Sequence, residues 1–474
     1  MSFEFEWNSL ADQPHNVAPR SERFRHHLRH AGSYFEIAGA NLRRLVPGLR
    51  RYRRTMKRLY REPVAIPSGA FGCAVSQAPA PGSVPGLVPA SLLGAGPGSG
   101  DDSVLDLFGE TGASRALVRV ASWERESGLL AAREGFVRAL RARGVDVVIA
   151  LLQRRADVHD PGSWRAFLEE AFGRFAPLAS AFEIGHAWNR TKWGVWDHRE
   201  YVRLAEPAFE LAPRFGATLA GPAVIDFEFH LYAVTLPRLP FDAVTSLLYV
   251  DRMGAPENGQ FGWTATMKLA LLKAAIDTTA RPGAGRGLWI TEVNWPLAGT
   301  GAFSPASGRP NVSEDEQADF LVRYYVLCLA SGLAERVYWW QLIAPGYGLV
   351  DNRESPWRRR PAFRAFTTLR ARLEGSVFEG HGASPDDPAE DGAGPSGAAS
   401  GDAPKAPGVE VFRFRKDGRA FAICWTPGGG PAELAIAAPV AAVLDREGRE
   451  ILPVSAASQK IVIDGSPKYV LFKE

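Results

Sequence analysis

The chain has 474 residues, 46% hydrophobic and 23% charged, enough to bury a large core; its net charge of +3 gives no whole-chain case for a nucleic-acid partner. Its three cysteines, Cys73, Cys328 and Cys424, lie far apart in apolar contexts. That pattern argues against a disulfide framework and a metal centre, and suits a reducing, cytoplasmic setting.

The charge is not evenly spread. Residues 20–62 hold 13 Lys and Arg against 3 Asp and Glu, whereas the remainder holds 42 against 49. Residues 1–66 therefore read as a basic arm. No apolar run in the chain approaches a membrane span, and the acidic start, Met1–Trp7, lacks the apolar core of a secretory signal. Within the arm, Pro47 suits the first position of a helix. Leu49, Tyr52, Met56 and Leu59 then form an apolar stripe among seven Lys and Arg residues. Such a helix either packs its stripe on the acidic body or meets an anionic membrane surface or acidic partner.

From residue 67 strands and helices alternate. The strand-like runs are 71–77, 115–122, 145–153, 181–185, 217–225, 243–249, 288–291 and 337–342. Helical periodicity fills most of the gaps, over 129–143, 164–178, 201–215, 264–279, 314–333 and 361–373. Ser313 and Glu316 have the spacing of a capping box. Residues 79–102 are rich in Pro, Gly, Ala and Ser and read as a long loop. Eight strands separated by helices predict an α/β fold, a (β/α)8 TIM barrel over 67–375. Residues 376–407 are almost free of bulky apolar side chains and read as a linker. Short alternating strands over 408–474 predict a sandwich-like, all-β C-terminal domain.

In such a barrel, function sits at the C-terminal strand ends. Glu292 closes the seventh run, Leu288-Trp289-Ile290-Thr291-Glu292, with Trp295 just beyond. By strand alternation Glu292 shares a face with Leu288 and Ile290. A carboxylate at that rim beside an indole suits a sugar ring, the acid at the anomeric carbon and the ring on the C–H face. The other strand ends supply Arg119, Trp123, His186, Asn189, Trp193, Asp197, Asp226, Glu228, Tyr249, Trp339 and Trp340. So many Trp residues around one rim exceed what a core needs.

With these residues in view, the region from Phe71 to Glu474 resembles the retaining glycoside hydrolases of clan A, in particular their β-xylosidase-like and cellulase-like members. The resemblance implies a barrel with a C-terminal β-sandwich, a carbohydrate substrate, and no metal or organic cofactor. It implies Glu292 as nucleophile, Arg119 and Tyr249 as its hydrogen-bonding neighbours, and Trp339 or Trp340 as the floor of the sugar site. Trp123, Asn189, Trp193 and Trp295 complete the expected substrate-binding set.

The fourth strand departs from the family pattern. Where the family reads approximately Glu-Ile-Gly-Asn-Glu-Pro-Asn, this chain reads Glu183-Ile184-Gly185-His186-Ala187-Trp188-Asn189. The position of the general acid/base is thus Ala187, and Leu247 stands where the family has a histidine. Glu183 lies deeper and reads as a buried partner of Arg119. Retaining hydrolysis needs two carboxyl groups. His186 is the expected substitute proton donor, ahead of Asp197 and Glu228. Two functions follow: a glycosidase with a non-standard general acid, or a catalytically inactive carbohydrate-binding scaffold in polysaccharide or lipopolysaccharide metabolism.

Overall fold

The structure is a computed structural model. It describes residues 7–14, 20–75, 104–250, 254–260, 262–281, 284–285, 287–305, 311–382, 408–436, 438–452 and 460–473. The loop expected over 79–102 and most of the linker expected over 376–407 lie outside these residues.

Eight parallel strands close into a barrel. They are β1 (Phe71–Ala74), β2 (Arg115–Ala121), β3 (Asp146–Leu152), β4 (Ala181–Ile184), β5 (Leu219–Ile225), β6 (Ala243–Leu247), β7 (Leu288–Val293) and β8 (Arg336–Trp339). Sequential neighbours pair all the way round, and β8 closes on β1. The period of two divides each strand between two cores. On β3, Val147, Ile149 and Leu151 meet the surrounding helices, while Val148, Ala150 and Leu152 fill the barrel. Alanines at many inner positions leave room for the large rings of Trp123, Trp289, Tyr338 and Trp340.

A seven-stranded antiparallel sheet and a two-stranded ribbon form the all-β region. Two strands of the larger sheet come from outside the expected C-terminal domain. Val377–Gly382, read as linker, pairs with Glu410–Lys416, and Val64–Ala65 from the arm pairs with Val377 and Phe378 at the sheet edge. Phe378, fully buried among Phe412 and Phe414, gives the linker segment its reason to join the sheet.

The arm forms α1 (Arg20–Arg29) and α2 (Gly32–Arg58). The helix expected from Pro47 thus begins 15 residues earlier, with Pro47 in its interior. Packing outweighs the lost backbone hydrogen bond. One face of α2 lies on the barrel exterior. Glu36 pairs with Arg199 at 2.8 Å, Asn41 donates to the carbonyl of His230 at 2.9 Å, and Arg51 donates to Asp277 at 2.7 Å. Tyr52 packs on Trp263 with ring centres 5.9 Å apart. The expected stripe is only partly inward: Leu59 is 3% exposed but Leu49 is 44% exposed.

The end of the arm is core. The buried Tyr60 donates to the carbonyl of Leu327 at 2.8 Å and packs edge-on against Phe412 at 5.1 Å. Tyr60→Ala is expected to cost about 3–5 kcal/mol, as for other buried aromatic truncations. Urea unfolding measures this, and an unchanged midpoint would show that the arm is separable from the core.

Candidate active site

Arg119 is brought inside by strand alternation, between the inward Leu117 and Ala121 of β2. The same rule fails for Glu292. Leu288 and Ile290 face the helices, so unbroken alternation would send Glu292 outward. Against β8, however, Ile290 pairs with Val337 and Val293 with Trp339, three residues advancing against two. This bulge restarts the alternation, so that Val293 faces the helices and Glu292 points into the mouth. The expectation that Glu292 shares the face of Leu288 and Ile290 is therefore corrected.

His186 also escapes simple parity. β4 ends at Ile184, and Gly185 takes a left-handed φ of 77°. The turn is clamped by Gln153. Its side chain accepts from the His186 N–H at 2.9 Å and donates to the carbonyls of His186 and Trp193 at 3.0 and 3.1 Å. The imidazole is thereby aimed at Arg119.

Three side chains meet at Glu292. The Tyr249 hydroxyl donates to Glu292 Oε1 at 2.6 Å, and Arg119 donates to Oε2 at 3.0 Å. His186 Nε2 lies 2.9 Å from an Arg119 nitrogen and 3.4 Å from Glu292 Oε2. The Arg119 guanidinium sits 3.4 Å over the ring of Trp340. Burial, then the positive charges of Arg119 and Lys192, hold the His186 imidazole well below its usual pKa. It is uncharged near neutral pH, with Nε2 free to accept from Arg119. Just beneath, burial and then repulsion from Glu292 push Glu183 up to about 8.

A segment missed by the sequence reading completes the mouth. Trp7–Asn8 and Gln13–Pro14 pair as a short ribbon, and the turn between them enters the barrel. Asp12, 2% exposed, accepts from Arg119 at 3.0 Å and from Gln341 at 3.2 Å. Gln13 is held by Lys192 and by the carbonyl of Pro305. Trp7 packs on Trp123 and Trp193 with ring centres 5.3 and 5.9 Å apart. What remains is a cavity of about 150 Å³ whose lining includes Asp12, Arg119, His186, Asp226, Tyr249 and Glu292. Small-molecule sites typically span about 300–1,000 Å³.

The expected set divides. Arg119, His186, Trp193, Tyr249, Glu292 and Trp340 line the cavity; Trp123, Asn189, Trp295 and Trp339 do not. Trp123 is covered by Trp7. Asn189 clamps the end of β5, donating to the carbonyl of Ile225 at 3.0 Å and accepting from its N–H at 2.9 Å. Trp295 and Trp339 stack on each other at 6.3 Å in the helix-facing core. Asp197 caps the helix His198–Phe215 and binds His26 at 2.9 Å, away from the cavity. Glu228 is tied to Arg190, as is Asp226, which does line the cavity. Among the described residues no group of His, Cys, Asp and Glu is arranged to hold a metal ion.

No family model matches the sequence, and no curated protein matches it. Solved structures match in fold. A glycoside hydrolase family 51 arabinofuranosidase from Xanthomonas axonopodis pv. citri is 10% identical, with a TM-score of 0.57 over 87% of this chain and 98% of its own. A glycoside hydrolase family 30 subfamily 8 xylanase from Clostridium acetobutylicum is 11% identical, with a TM-score of 0.53 over 87% and 100%. A family 30 endoxylanase from Clostridium papyrosolvens is 10% identical, with a TM-score of 0.50 over 88% and 99%. The chain thus has the barrel-plus-β architecture of glycoside hydrolases.

The raised pKa of Glu183 has a consequence for stability. Between the ordinary value of 4.5 and about 8 the unfolded chain releases this proton while the folded chain keeps it. Stability from this group is therefore full below 4.5 and is lost as pH rises towards 8. Glu183→Gln, which copies the protonated form, should remove that part of the decline. Thermal melts from pH 5 to pH 8 measure it, and parallel Tm curves for the two proteins would refute it.

Proposed function

We propose that this chain acts on an O-glycosidic bond of a carbohydrate by a retaining mechanism with Glu292 as nucleophile. The observation that carries the reading is the seating of Glu292: one oxygen takes the Tyr249 hydroxyl and the other the Arg119 guanidinium, at the C-terminal mouth of the barrel. These donors fix the carboxylate's orientation towards a sugar placed in the cavity. A Glu292 oxygen attacks the anomeric carbon while the bond to the leaving oxygen breaks. The leaving oxygen takes up a proton from a donor in the cavity, and water, giving a proton back to that donor as it attacks, then hydrolyses the glycosyl ester. A neutral His186 offers the sugar a hydrogen bond, and withdrawal of the ribbon would uncover Trp193 for it.

The proton is the weak point. Ala187 aligns with the family's acid position, has no proton to give, and sits at a left-handed φ of 44°. His186, held neutral against Arg119, suits binding better than proton donation. Asp12 accepts from Arg119 and Gln341 and belongs to the ribbon, so Asp226 is the carboxyl group of the cavity that replaces Asp197 and Glu228 as the candidate. The three buried free thiols support a reducing, cytoplasmic setting. A second reading, a carbohydrate-binding scaffold without turnover, is favoured by one observation: the ribbon lays Asp12 on Arg119 and Trp7 on two of the expected platforms.

A 2-fluoro aryl glycoside should label Glu292 covalently, read by peptide mass spectrometry; labelling of another carboxylate would reassign the nucleophile. Nitrophenyl glycosides should turn over faster than alkyl ones. Ala187→Glu should narrow that gap by up to about 10²–10⁴-fold, the usual worth of a general acid. Equal rates on both substrates in the native chain would mean that a competent acid is already present. Removal of residues 1–14 should raise both sugar affinity and turnover. Tighter binding with no turnover would establish the scaffold reading.

A further inference from the structure

Large apolar side chains left in water are concentrated in the arm. Phe24 and Leu28 of α1 and Phe35, Leu42, Val46 and Leu49 of α2 are 44–79% exposed. In the sheets and barrel the exposed large apolar residues are the scattered Val377, Ile451 and Val462. Phe35, Leu42, Val46 and Leu49 are seven, four and three residues apart, so they form one stripe along α2. The opposite face is the one that holds the barrel through Asn41, Arg51 and Tyr52. The stripe therefore faces outward.

Its surroundings are cationic. Arg53 continues the stripe and Arg43, Arg50 and Lys57 flank it, all exposed, and residues 37–61 contain no Asp or Glu. On a surface otherwise of mixed charge, this pairs apolar area with one sign of charge.

We infer that the outer face of α2, continued by α1, docks on an anionic lipid surface. The helix lies in the interface plane, with its apolar stripe among the acyl chains and its arginines reaching up to the headgroups. An acidic protein would satisfy the arginines and leave the stripe unburied, whereas an apolar protein face would strip the arginines of water. A lipid surface supplies both environments at the right depths. No helix among the described residues is long and apolar enough to cross a membrane.

The test is flotation of the full chain with vesicles of phosphatidylcholine, with and without phosphatidylglycerol. The chain should float with the mixed vesicles only. It should be released when salt rises from about 0.1 M to about 1 M, which shortens the screening length from about 10 Å to about 3 Å. Phe35→Ser with Leu42→Ser, and separately Arg50→Glu with Arg53→Glu, should each lower partitioning at least about tenfold. The melting temperature should hold in both, because these side chains face away from the barrel. Failure to float, or equal flotation on pure phosphatidylcholine, overturns the inference. So does an apolar double variant that floats like the native chain, which would mark a purely electrostatic partner. A dimer in light scattering that the same apolar variant dissociates would assign the stripe to a second copy of the chain.

Discussion

A buried guanidinium organises the mouth of this barrel. Arg119 is 2% exposed, and a cation so placed is tolerated only when anions and hydrogen-bond acceptors surround it. It has Glu292 on one terminal nitrogen, Asp12 on the other, and the face of Trp340 against its plane. His186 is kept neutral partly because a second cation beside Arg119 would be unsupported. The orientation of the proposed nucleophile, the protonation of its neighbour and the position of the N-terminal ribbon thus all depend on one charge.

That residue was legible in the sequence through its place towards the C-terminal end of β2 and through the family resemblance, although neither told that its charge is buried. Tyr249 and Glu292 were legible for the same kind of reason, at the ends of β6 and β7. The route by which Glu292 enters the mouth was not. Alternation put it on the face of Leu288 and Ile290, which in the structure meets the helices, and only the pairing of β7 with β8 reveals the extra residue that turns it inward. Trp339 and Trp340 show the complementary limit. They are adjacent and chemically identical, yet one lies in the helix-facing core and the other under Arg119. Composition recognises such a pair, and register alone separates its members.

The ribbon was illegible for a different reason. It is eight residues without periodicity, and its partners, Arg119, Lys192, Pro305 and Gln341, are distant in the chain. Nothing local marks Asp12 as a buried group. The arm was misjudged through Pro47, a plausible helix start that α2 instead incorporates. The result is a strap. Residues 7–14 lie in the barrel mouth, α2 crosses the outer helices, and the arm ends as core packing at Tyr60 and an edge strand of the β region.

Because part of the mouth is occupied by a covalently attached segment, a ligand that needs that space would face a rival that dilution cannot remove. A short tether sets a local concentration on the order of millimolar. Apparent affinity becomes intrinsic affinity scaled by the fraction of molecules whose mouth stands open. Under the proposed carbohydrate reading, a weakly bound sugar would be shut out and only a ligand that binds tightly enough would displace the occupant. The ribbon would then act as a threshold on binding strength rather than a filter on shape.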